Sequence, residues 1–189
     1  NMDFNYYTII IGIMISFVLF FKMPKLQKNN TDTHLKVSVI IPARNEEDNL
    51  PAILGDLKKQ SYNIHEIICV DDNSTDATAR IIQEYGAKYI KIDGLPKGWK
   101  GKPWACQQGA QAAKGEVLVF LDADVRLAES AISSLSYRYE ASGKPVSVQP
   151  YHAVKKPHEF FSLFFNLIKI CGTALSIIGI KKTFGLYGP

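Results

Sequence analysis

Between Lys36 and His152, short apolar runs alternate with segments of helical periodicity, and few folds accommodate such an alternation. The apolar runs are Lys36–Ile41, Glu66–Asp71, Lys88–Ile92, Glu116–Leu121 and Val146–Gln149. The helical segments lie at 46–60, 74–85, 103–114 and 128–142. Strands that alternate with helices predict an α/β fold, in which a mostly parallel, Rossmann-like sheet carries helices on both faces.

Two elements carry more specific expectations. In the first helix, Leu50, Ile53 and Leu57 form one apolar stripe, and Asn45 is the expected N-cap. Within Glu116–Leu121, the five residues from Val117 onward are continuously apolar, which is typical of a parallel strand that is buried on both faces.

Polar clusters follow three of the predicted strands. Pro42–Glu46 follows the first strand, Asp71–Asp76 follows the second, and Asp122–Asp124 follows the fourth. Ligands of doubly wound sheets bind at the carboxyl ends of the strands. We therefore expect the three clusters to meet at one edge of the sheet and to form a binding site there.

The pair Asp122 and Asp124 is a candidate metal site. Residues two apart on an extended segment face the same side, so their carboxylates repel each other unless a cation joins them. Mg²⁺ or Mn²⁺ shared with substrate phosphates would relieve that repulsion and neutralise a departing diphosphate. The alternative is that either aspartate only caps the following turn.

Three further residues are candidate nucleotide ligands. Asp72 could accept hydrogen bonds from a base or a ribose, as acids after the second strand do in nucleotide-binding sheets. The guanidinium of Arg44 suits phosphate, and its alternative role is that of a surface arginine. Lys102 lies in the basic, glycine-rich stretch Lys97–Trp104 (KGWKGKPW) and is the candidate phosphate contact. The alternative for that stretch is a mobile surface loop.

Residues 1–23 are predicted to be an N-terminal membrane anchor. Tyr6–Phe21 is almost entirely apolar and approaches the roughly 20 residues that a membrane-spanning helix needs. Lys22, Lys25 and Lys28 follow it, so the positive-inside rule predicts that the rest of the chain lies on the cytoplasmic side of the cell membrane. The alternative is a buried helix or a misassigned signal peptide.

The remaining boundaries follow from composition. Residues 24–35 are polar and predict a linker, and residues 36–152 form the predicted domain. Residues 153–189 begin an apolar, acceptor-side segment that we expect to be cut short. Within it, Phe160–Ile180 is predicted to lie at the membrane interface or to pack in an acceptor channel, with a second span as the alternative.

Charge and motifs argue against several classes of protein. A net charge of +4 without a dense basic stripe or a known nucleic-acid module predicts no nucleic-acid partner. There is no Gly-x-Gly-x-x-Gly and no P-loop, which argues against dinucleotide oxidoreductases and P-loop NTPases. A nucleotidyltransferase would carry a glycine-rich basic loop after the first strand, where this chain has Ala43-Arg44-Asn45-Glu46-Glu47.

Three motifs in order resemble family 2 glycosyltransferases of the GT-A fold: Ser38–Glu46 (SVIIPARNE), Val70–Asp76 (VDDNSTD) and Phe120–Asp124 (FLDAD). The resemblance covers residues 36–152. It implies nucleotide-sugar contacts at Pro42, Ala43, Arg44, Glu46 and Asp72, a ribose or metal contact at Asp122, and a metal ligand at Asp124. It also implies a UDP-sugar donor, a divalent cation (Mg²⁺ or Mn²⁺) and inversion at the anomeric carbon.

Ser147–His152 (SVQPYH), the predicted anchor and the Gly101-Lys102 loop are similar to one branch of that family, which acts on carotenoid acids in staphyloxanthin-type biosynthesis. This similarity implies UDP-glucose as the donor and a lipophilic acceptor.

The family's general base lies in a later segment that does not occur before Pro189, so no catalytic base is assigned. We expect residues 36–189 alone to bind nucleotide and to turn over poorly. The alternatives are a truncated, non-catalytic nucleotide-sugar-binding remnant and a nucleotidyltransferase.

Overall fold

The computed structural model describes residues 6–7, 9–15 and 34–148 of the 189-residue chain. The chain divides into two units, one comprising Asn1–Leu26 with Ser147–Gly188 and the other Gln27–Val146 with Pro189. In the first unit, residues 6–7 and 9–15 are helical, and their side chains are exposed. Within the described residues, no helix is both long enough and apolar enough to span a bilayer.

Several predicted segments lie wholly or mostly outside the described residues. They are most of the anchor at 1–23, most of the linker at 24–35, the SVQPYH motif beyond Val148, and the whole apolar segment at 153–189 with Phe160–Ile180. The membrane anchor and the interfacial segment therefore stay predictions.

The second unit contains a parallel four-stranded sheet. Its strands are β1 (Val37–Ala43), β2 (Glu66–Asp71), β3 (Lys88–Lys91) and β4 (Val117–Phe120), in the spatial order β3-β2-β1-β4. The helices of this unit are α1 (Leu50–Lys58), α2 (Thr78–Glu84), α3 (Gly101–Ala112) and α4 (Ala131–Ser142). This arrangement confirms the predicted α/β fold with a parallel sheet.

The two faces of the sheet pack against different helices because successive strand residues point to opposite sides. On one face, Val39 and Ile41 of β1 join the core formed with α1, α2 and α4. On the other face, Ile40 and Val70 pack under α3. At Gly109 of α3 a Cβ atom would lie 2.5 Å from Cγ2 of Ile40, so glycine lets this helix approach the strands closely.

The prediction that Glu116–Leu121 is buried on both faces is wrong for the described residues. β4 pairs only with β1 there, and its residues alternate between half-buried and exposed. Val117 and Val119 pack against the core with α1, whereas Leu118 and Phe120 are exposed on the face that α3 covers farther along the sheet. An apolar run alone did not reveal that one face of this strand lacks a covering helix in the described part of the chain.

Two further expectations need correction. The first helix begins at Leu50, not Glu46, and Asn45 is not its N-cap. No strand forms over the described part of Val146–Gln149, since residues 146–148 have no regular secondary structure and Gln149 lies outside the described residues.

Candidate functional site

The carboxyl ends of β1, β2 and β4 lie at one edge of the sheet. Ala43, the last residue of β1, is in register with Asp71, the last residue of β2. The N–H of Asp72 continues this pairing with a hydrogen bond to the carbonyl of Ala43 (2.8 Å). On the other side, Phe120 at the end of β4 is in register with Ile40. The three polar clusters of the sequence therefore leave the sheet at neighbouring positions.

The loops that follow β1 and β2, residues 44–49 and 72–77, are joined side by side, and we call them the β1–β2 loop pair. Each loop turns at an asparagine with left-handed backbone, Asn45 (φ 54°) and Asn73 (φ 57°). Asparagine tolerates this conformation better than most residues with a Cβ atom. The turn at Asn45 explains why α1 begins later than its sequence pattern suggested.

Hydrogen bonds connect the two loops in both directions. Asn45 donates its N–H to Ser74 Oγ (3.0 Å), and its Oδ1 accepts the N–H of Thr75 (2.9 Å). Glu47 donates its N–H to Asp76 Oδ2 (3.1 Å), and its carboxylate accepts the N–H of Ala77 (2.9 Å). Asn45, the expected N-cap of the first helix, therefore satisfies a backbone group of the opposite loop instead, and the side chains of Ser74, Asp76 and Glu47 do the same.

A further link is buried at the base of the loop pair. The N–H of Glu46 donates to the hydroxyl of Thr78 (2.9 Å), whose side chain is fully buried at the start of α2. Asp76 accepts the N–H of Thr78 (3.0 Å), and hydrogen bonds of this kind outweigh the effect of burial and lower the pKa of Asp76. The start of α2 is thus tied to the β1 loop as well as to its own.

Asp71 anchors the loop pair to the sheet. Its side chain is 2% exposed, and it accepts hydrogen bonds from the N–H of Ser74 (2.9 Å) and the hydroxyl of Tyr89 on β3 (2.9 Å). Burial, together with the hydrogen bond and the charge of Asp71, raises the pKa of Tyr89 to about 12. The buried carboxylate fixes the loop by internal bonds, so of the two adjacent aspartates it is Asp72 that remains accessible to a ligand.

Asp72 lies between the β1 loop and the first turn of α3. Its Oδ2 is 3.7 Å from Nη1 of Arg44, and the side chain of Arg44 is two-thirds exposed. Its carboxylate also abuts Gly101, where a Cβ atom would overlap Oδ2. Glycine at this helix position therefore leaves the space in which the Asp72 carboxylate sits.

The next residue of α3 connects to the fourth strand. Nζ of Lys102 is 2.7 Å from Oδ1 of Asp122, and both side chains are about half exposed. Asp124 is exposed and makes no ion pair with any residue of the described range 34–148. We call Gly101, Lys102, Asp122 and Asp124 the α3–β4 side of the site.

The segment after Asp124 is held by α1, a feature that the sequence analysis missed. Arg126 donates from Nε and Nη2 to the two carboxylate oxygens of Asp56 (2.7 and 2.9 Å), and the N–H of Leu127 donates to the same group (3.0 Å). The hydrogen bonds from Arg126 are the main reason that the pKa of Asp56 is lowered. Paired guanidinium–carboxylate bonds are directional, so they fix the path of the chain close to Asp124.

Gln60 extends this contact along the same loop. Its side-chain amide donates to the carbonyl of Ala128 (2.9 Å), and its Oε1 accepts the N–H of Ile132 (3.0 Å). The N–H of Ser61 donates to the carbonyl of Glu129 (2.8 Å). One sequence signal could have found this contact: Asp56 is a charged residue next to the buried stripe of Ile53 and Leu57, and a buried charge needs a partner.

The remaining predicted nucleotide ligands are buried or already hydrogen-bonded. Pro42 and Ala43 are buried within β1, so only their backbone is available at the strand end. The carboxylate of Glu46 accepts a hydrogen bond from Asn49 Nδ2 (2.8 Å) in its own loop. Arg44, Asp72, Lys102 and Asp122 form the series that the structure brings together.

Asp122 and Asp124 are the carboxylates predicted to hold the divalent cation. No cluster of three or more histidine, cysteine, aspartate or glutamate residues occurs among the described residues, so they form no all-protein cage. Mg²⁺ commonly binds through one or two carboxylates and completes its shell with water and substrate phosphates. The ammonium of Lys102 beside Asp122 shows that this carboxylate accepts a cation. Asp122 and Asp124 therefore fit an ion that is shared with a substrate.

Comparison with known proteins gives three kinds of similarity. Residues 38–170 match the family model described as glycosyl transferase family 2. The chain is 43% identical over 170 residues to a 4,4'-diaponeurosporenoate glycosyltransferase of Staphylococcus haemolyticus (strain JCSC1435), an alignment that covers 86% of this chain and 45% of that protein. The protein of the same name from Staphylococcus aureus (strain USA300) is 38% identical over 143 residues, covering 74% and 38% of the two chains.

Among solved structures, the crystal structure of S. aureus TarS superimposes with a TM-score of 0.50 at 23% identity, over 64% of this chain and 23% of that one. This similarity concerns the fold. The chain spans less than half of the length of the curated relatives that it matches.

Proposed function

We propose that the chain, which belongs to glycosyl transferase family 2, forms the donor-binding part of a membrane-associated enzyme. This enzyme would transfer glucose from UDP-glucose to a lipophilic acceptor. One observation carries the donor site. Arg44, Asp72, Gly101, Lys102 and Asp122 form a continuous series of contacts across the ends of three parallel strands. This is the edge at which sheets of this type bind nucleotides.

The charges of this edge suit a nucleoside diphosphate that arrives with a divalent ion. Asp72 offers carboxylate oxygens to N–H or O–H donors of the nucleoside, and Arg44 and Lys102 offer cationic donors to the phosphates. Asp122 and Asp124 would hold Mg²⁺ or Mn²⁺. When bound, the ion would neutralise the negative charge that develops on the departing diphosphate.

The β1–β2 loop pair adds preorganisation to the nucleoside side. Its backbone groups are hydrogen-bonded before a ligand arrives, so donor binding would not have to order these loops. Binding that requires little ordering retains more of its interaction free energy as affinity. In our proposal this is why Asp72, at the start of the β2 loop, can recognise the nucleoside with little loss of conformational entropy.

The proposed acceptor is a carotenoid acid, and the proposed location is the cytoplasmic face of the cell membrane. The relatives at 43% and 38% identity are named for 4,4'-diaponeurosporenoate, which supports an acceptor of that kind. Residues 6–7 and 9–15 are helical with exposed apolar side chains, and basic residues follow at Lys22, Lys25 and Lys28. Both features are typical of a membrane-attached N-terminus.

Calorimetric titration with UDP and UDP-glucose, with and without Mn²⁺, tests the donor site. We expect Mn²⁺ to strengthen binding to the wild-type chain, and we expect Asp124→Ala to reduce that gain at least about tenfold. Asp93→Ala is the matched control, because Asp93 is an exposed carboxylate in the loop after β3 that pairs only with Lys91 in the described residues (3.8 Å). Binding that is independent of Mn²⁺ and unchanged in Asp124→Ala would contradict the site.

A transfer assay tests the acceptor. Because the chain is proposed to be the donor-binding part, membranes that contain the complete enzyme would be supplied with labelled UDP-glucose and either a carotenoid acid or a ceramide, and the labelled lipid would be measured. Transfer to the carotenoid acid supports the proposal, and transfer only to the ceramide contradicts the acceptor. Metal-dependent UDP binding without transfer to any lipid would favour a nucleotide-sugar-binding module.

A further inference from the structure

Lys102 and Asp122 each have a proposed ligand, but in the structure they form an ion pair with each other. Lys102 is the cation closest to the proposed diphosphate, and Asp122 is a proposed ligand of the divalent ion. Yet the two side chains contact each other at 2.7 Å. While that contact persists, neither group is free for its proposed partner.

We propose that Lys102 is an exchangeable cation, which occupies the cation position at Asp122 until the diphosphate of the donor draws it away. Its transfer to the phosphates then frees Asp122 for the divalent ion. The free energy of binding metal and nucleotide together is consequently more favourable than the sum of their separate binding free energies. This inference rests on the proposed function, since it requires a nucleoside diphosphate and a divalent ion at this edge.

The physical setting allows such an exchange. Lys102 lies in the first turn of α3, and both partners are about half exposed, so water can replace either one when the pair opens. Exposed ion pairs contribute little net free energy, which means that a diphosphate with two negative charges competes well for the ammonium. The pair of Asp56 with Arg126 differs in this respect, because the Asp56 side chain is only 10% exposed and opening the pair would leave that carboxylate without its charged partner.

The exchange distinguishes the two aspartates that follow β4. Asp122 pairs with an ammonium in the free protein, whereas Asp124 makes no ion pair with residues 34–148. Displacement of the ammonium therefore adds the Asp122 carboxylate to a site at which Asp124 is already available. Linkage requires the effect to be reciprocal: if UDP raises the affinity for Mn²⁺, then Mn²⁺ raises the affinity for UDP by the same factor.

A double-mutant cycle on metal-free UDP binding isolates the exchange. Calorimetry in the presence of a chelator would compare wild type, Asp122→Asn, Lys102→Met and the double variant. Asp122→Asn removes a negative charge near the phosphates in every background, but only in the presence of Lys102 does it also release the ammonium. We expect the substitution to strengthen UDP binding about two- to fivefold more in the wild-type background than in Lys102→Met.

A second measurement addresses the metal directly. The affinity of the full chain for Mn²⁺ in the absence of UDP would be measured by electron paramagnetic resonance. Lys102→Met should raise that affinity about two- to fivefold because no ammonium competes for Asp122. The matched control is Lys100→Met, which also removes one positive charge, two residues before Lys102. The side chain of Lys100 pairs with no carboxylate in residues 34–148, so this substitution should change the Mn²⁺ affinity much less.

The outcomes separate the two levels of the proposal. Additive effects in the cycle, or equal Mn²⁺ affinities in the two lysine variants, would overturn the exchange, while metal-dependent UDP binding by the wild type would leave the proposed function intact. Absence of UDP binding in every variant, with unchanged thermal melting, would overturn both.

Discussion

The two sides of the candidate site are built differently. In the β1–β2 loop pair, backbone N–H groups are satisfied by side chains of the opposite loop, and the buried carboxylate of Asp71 anchors the assembly. On the α3–β4 side, one exposed ion pair joins Lys102 to Asp122, and Asp124 is exposed. The first side is fixed by internal hydrogen bonds, and the second is held by charges that a ligand can take over.

This difference follows the chemistry of the proposed ligand. A nucleoside is recognised by a few directional hydrogen bonds, for which a rigid frame is an advantage. A diphosphate and a divalent ion are bound through charge, and their partners must release their previous contacts when the ligand arrives. Substitutions on the two sides should therefore affect different quantities, stability on the first and linked binding on the second.

The largest effect is expected for Asp71→Ala. It removes the acceptor of both Ser74 N–H and the Tyr89 hydroxyl at a site where water is excluded, so the free energy of unfolding should fall by about 2–3 kcal/mol. UDP affinity should also fall, both with and without Mn²⁺. Urea unfolding measures the loss of stability, and calorimetry measures the loss of UDP affinity. Tyr89→Phe, which removes one of the two bonds, should cost about 1 kcal/mol; equal stability of all three proteins would refute the anchoring role.

A smaller effect is expected for Asp56→Asn, in the contact between α1 and the chain after Asp124. Loss of the charged bonds to Arg126 should lower the free energy of unfolding by about 1–2 kcal/mol at pH 7. Because the folded-state pKa of Asp56 is lowered, its stabilisation is present above the ordinary value of 3.8 and is lost as the pH falls through the folded-state pKa.

Urea unfolding at pH 7 and at pH 3 measures this prediction. The variant should lose less stability than the wild type between the two values. If Arg126 also positions Asp124, Mn²⁺ affinity at pH 7 should fall in Asp56→Asn and recover in part in Asp56→Glu, whereas a purely structural contact would leave Mn²⁺ affinity unchanged.

Gly101→Ala separates binding from stability on the boundary between the two sides. The new methyl group would displace the Asp72 carboxylate, an end of a side chain that can move, so the free energy of unfolding should change by less than about 0.5 kcal/mol. UDP affinity should fall about fivefold, which is the effect expected from the loss of one hydrogen bond to the ligand. Gly98→Ala serves as a control in the preceding loop, where no atom lies within 4 Å of the added Cβ but φ is +90°. That control should lose stability and keep the Asp72 contact.

The smallest effect on stability is expected for Lys102→Met and Asp122→Asn. An exposed ion pair contributes about 0–1 kcal/mol, so each variant should unfold within about 0.5 kcal/mol of the wild type. Thermal melting measures this. A loss as large as that of Asp71→Ala would show that the α3–β4 side is as rigid as the loop pair, and the contrast between the two sides would fail.

Local sequence patterns predicted the elements better than their ends. Alternation of apolar runs and helical stripes predicted the parallel sheet, and the three polar clusters do leave that sheet at one edge. Asn45 shows the limit of such patterns, since an asparagine before acidic residues is typical of a helix start, and here it hydrogen-bonds to Ser74 and Thr75 instead. Its partners are about thirty residues away, outside any local window.

The sequence by itself determined the α/β class, the strand-end acids and the family motifs, because strand and helix periods and the residues that follow each strand are local properties of the chain. Only the tertiary structure decided which acid is buried and which is accessible, that Arg126 pairs with Asp56, and that Lys102 contacts Asp122. These contacts join residues that are distant in the chain. They depend on how the helices pack against the sheet, and that packing is set by shape and burial over the whole domain.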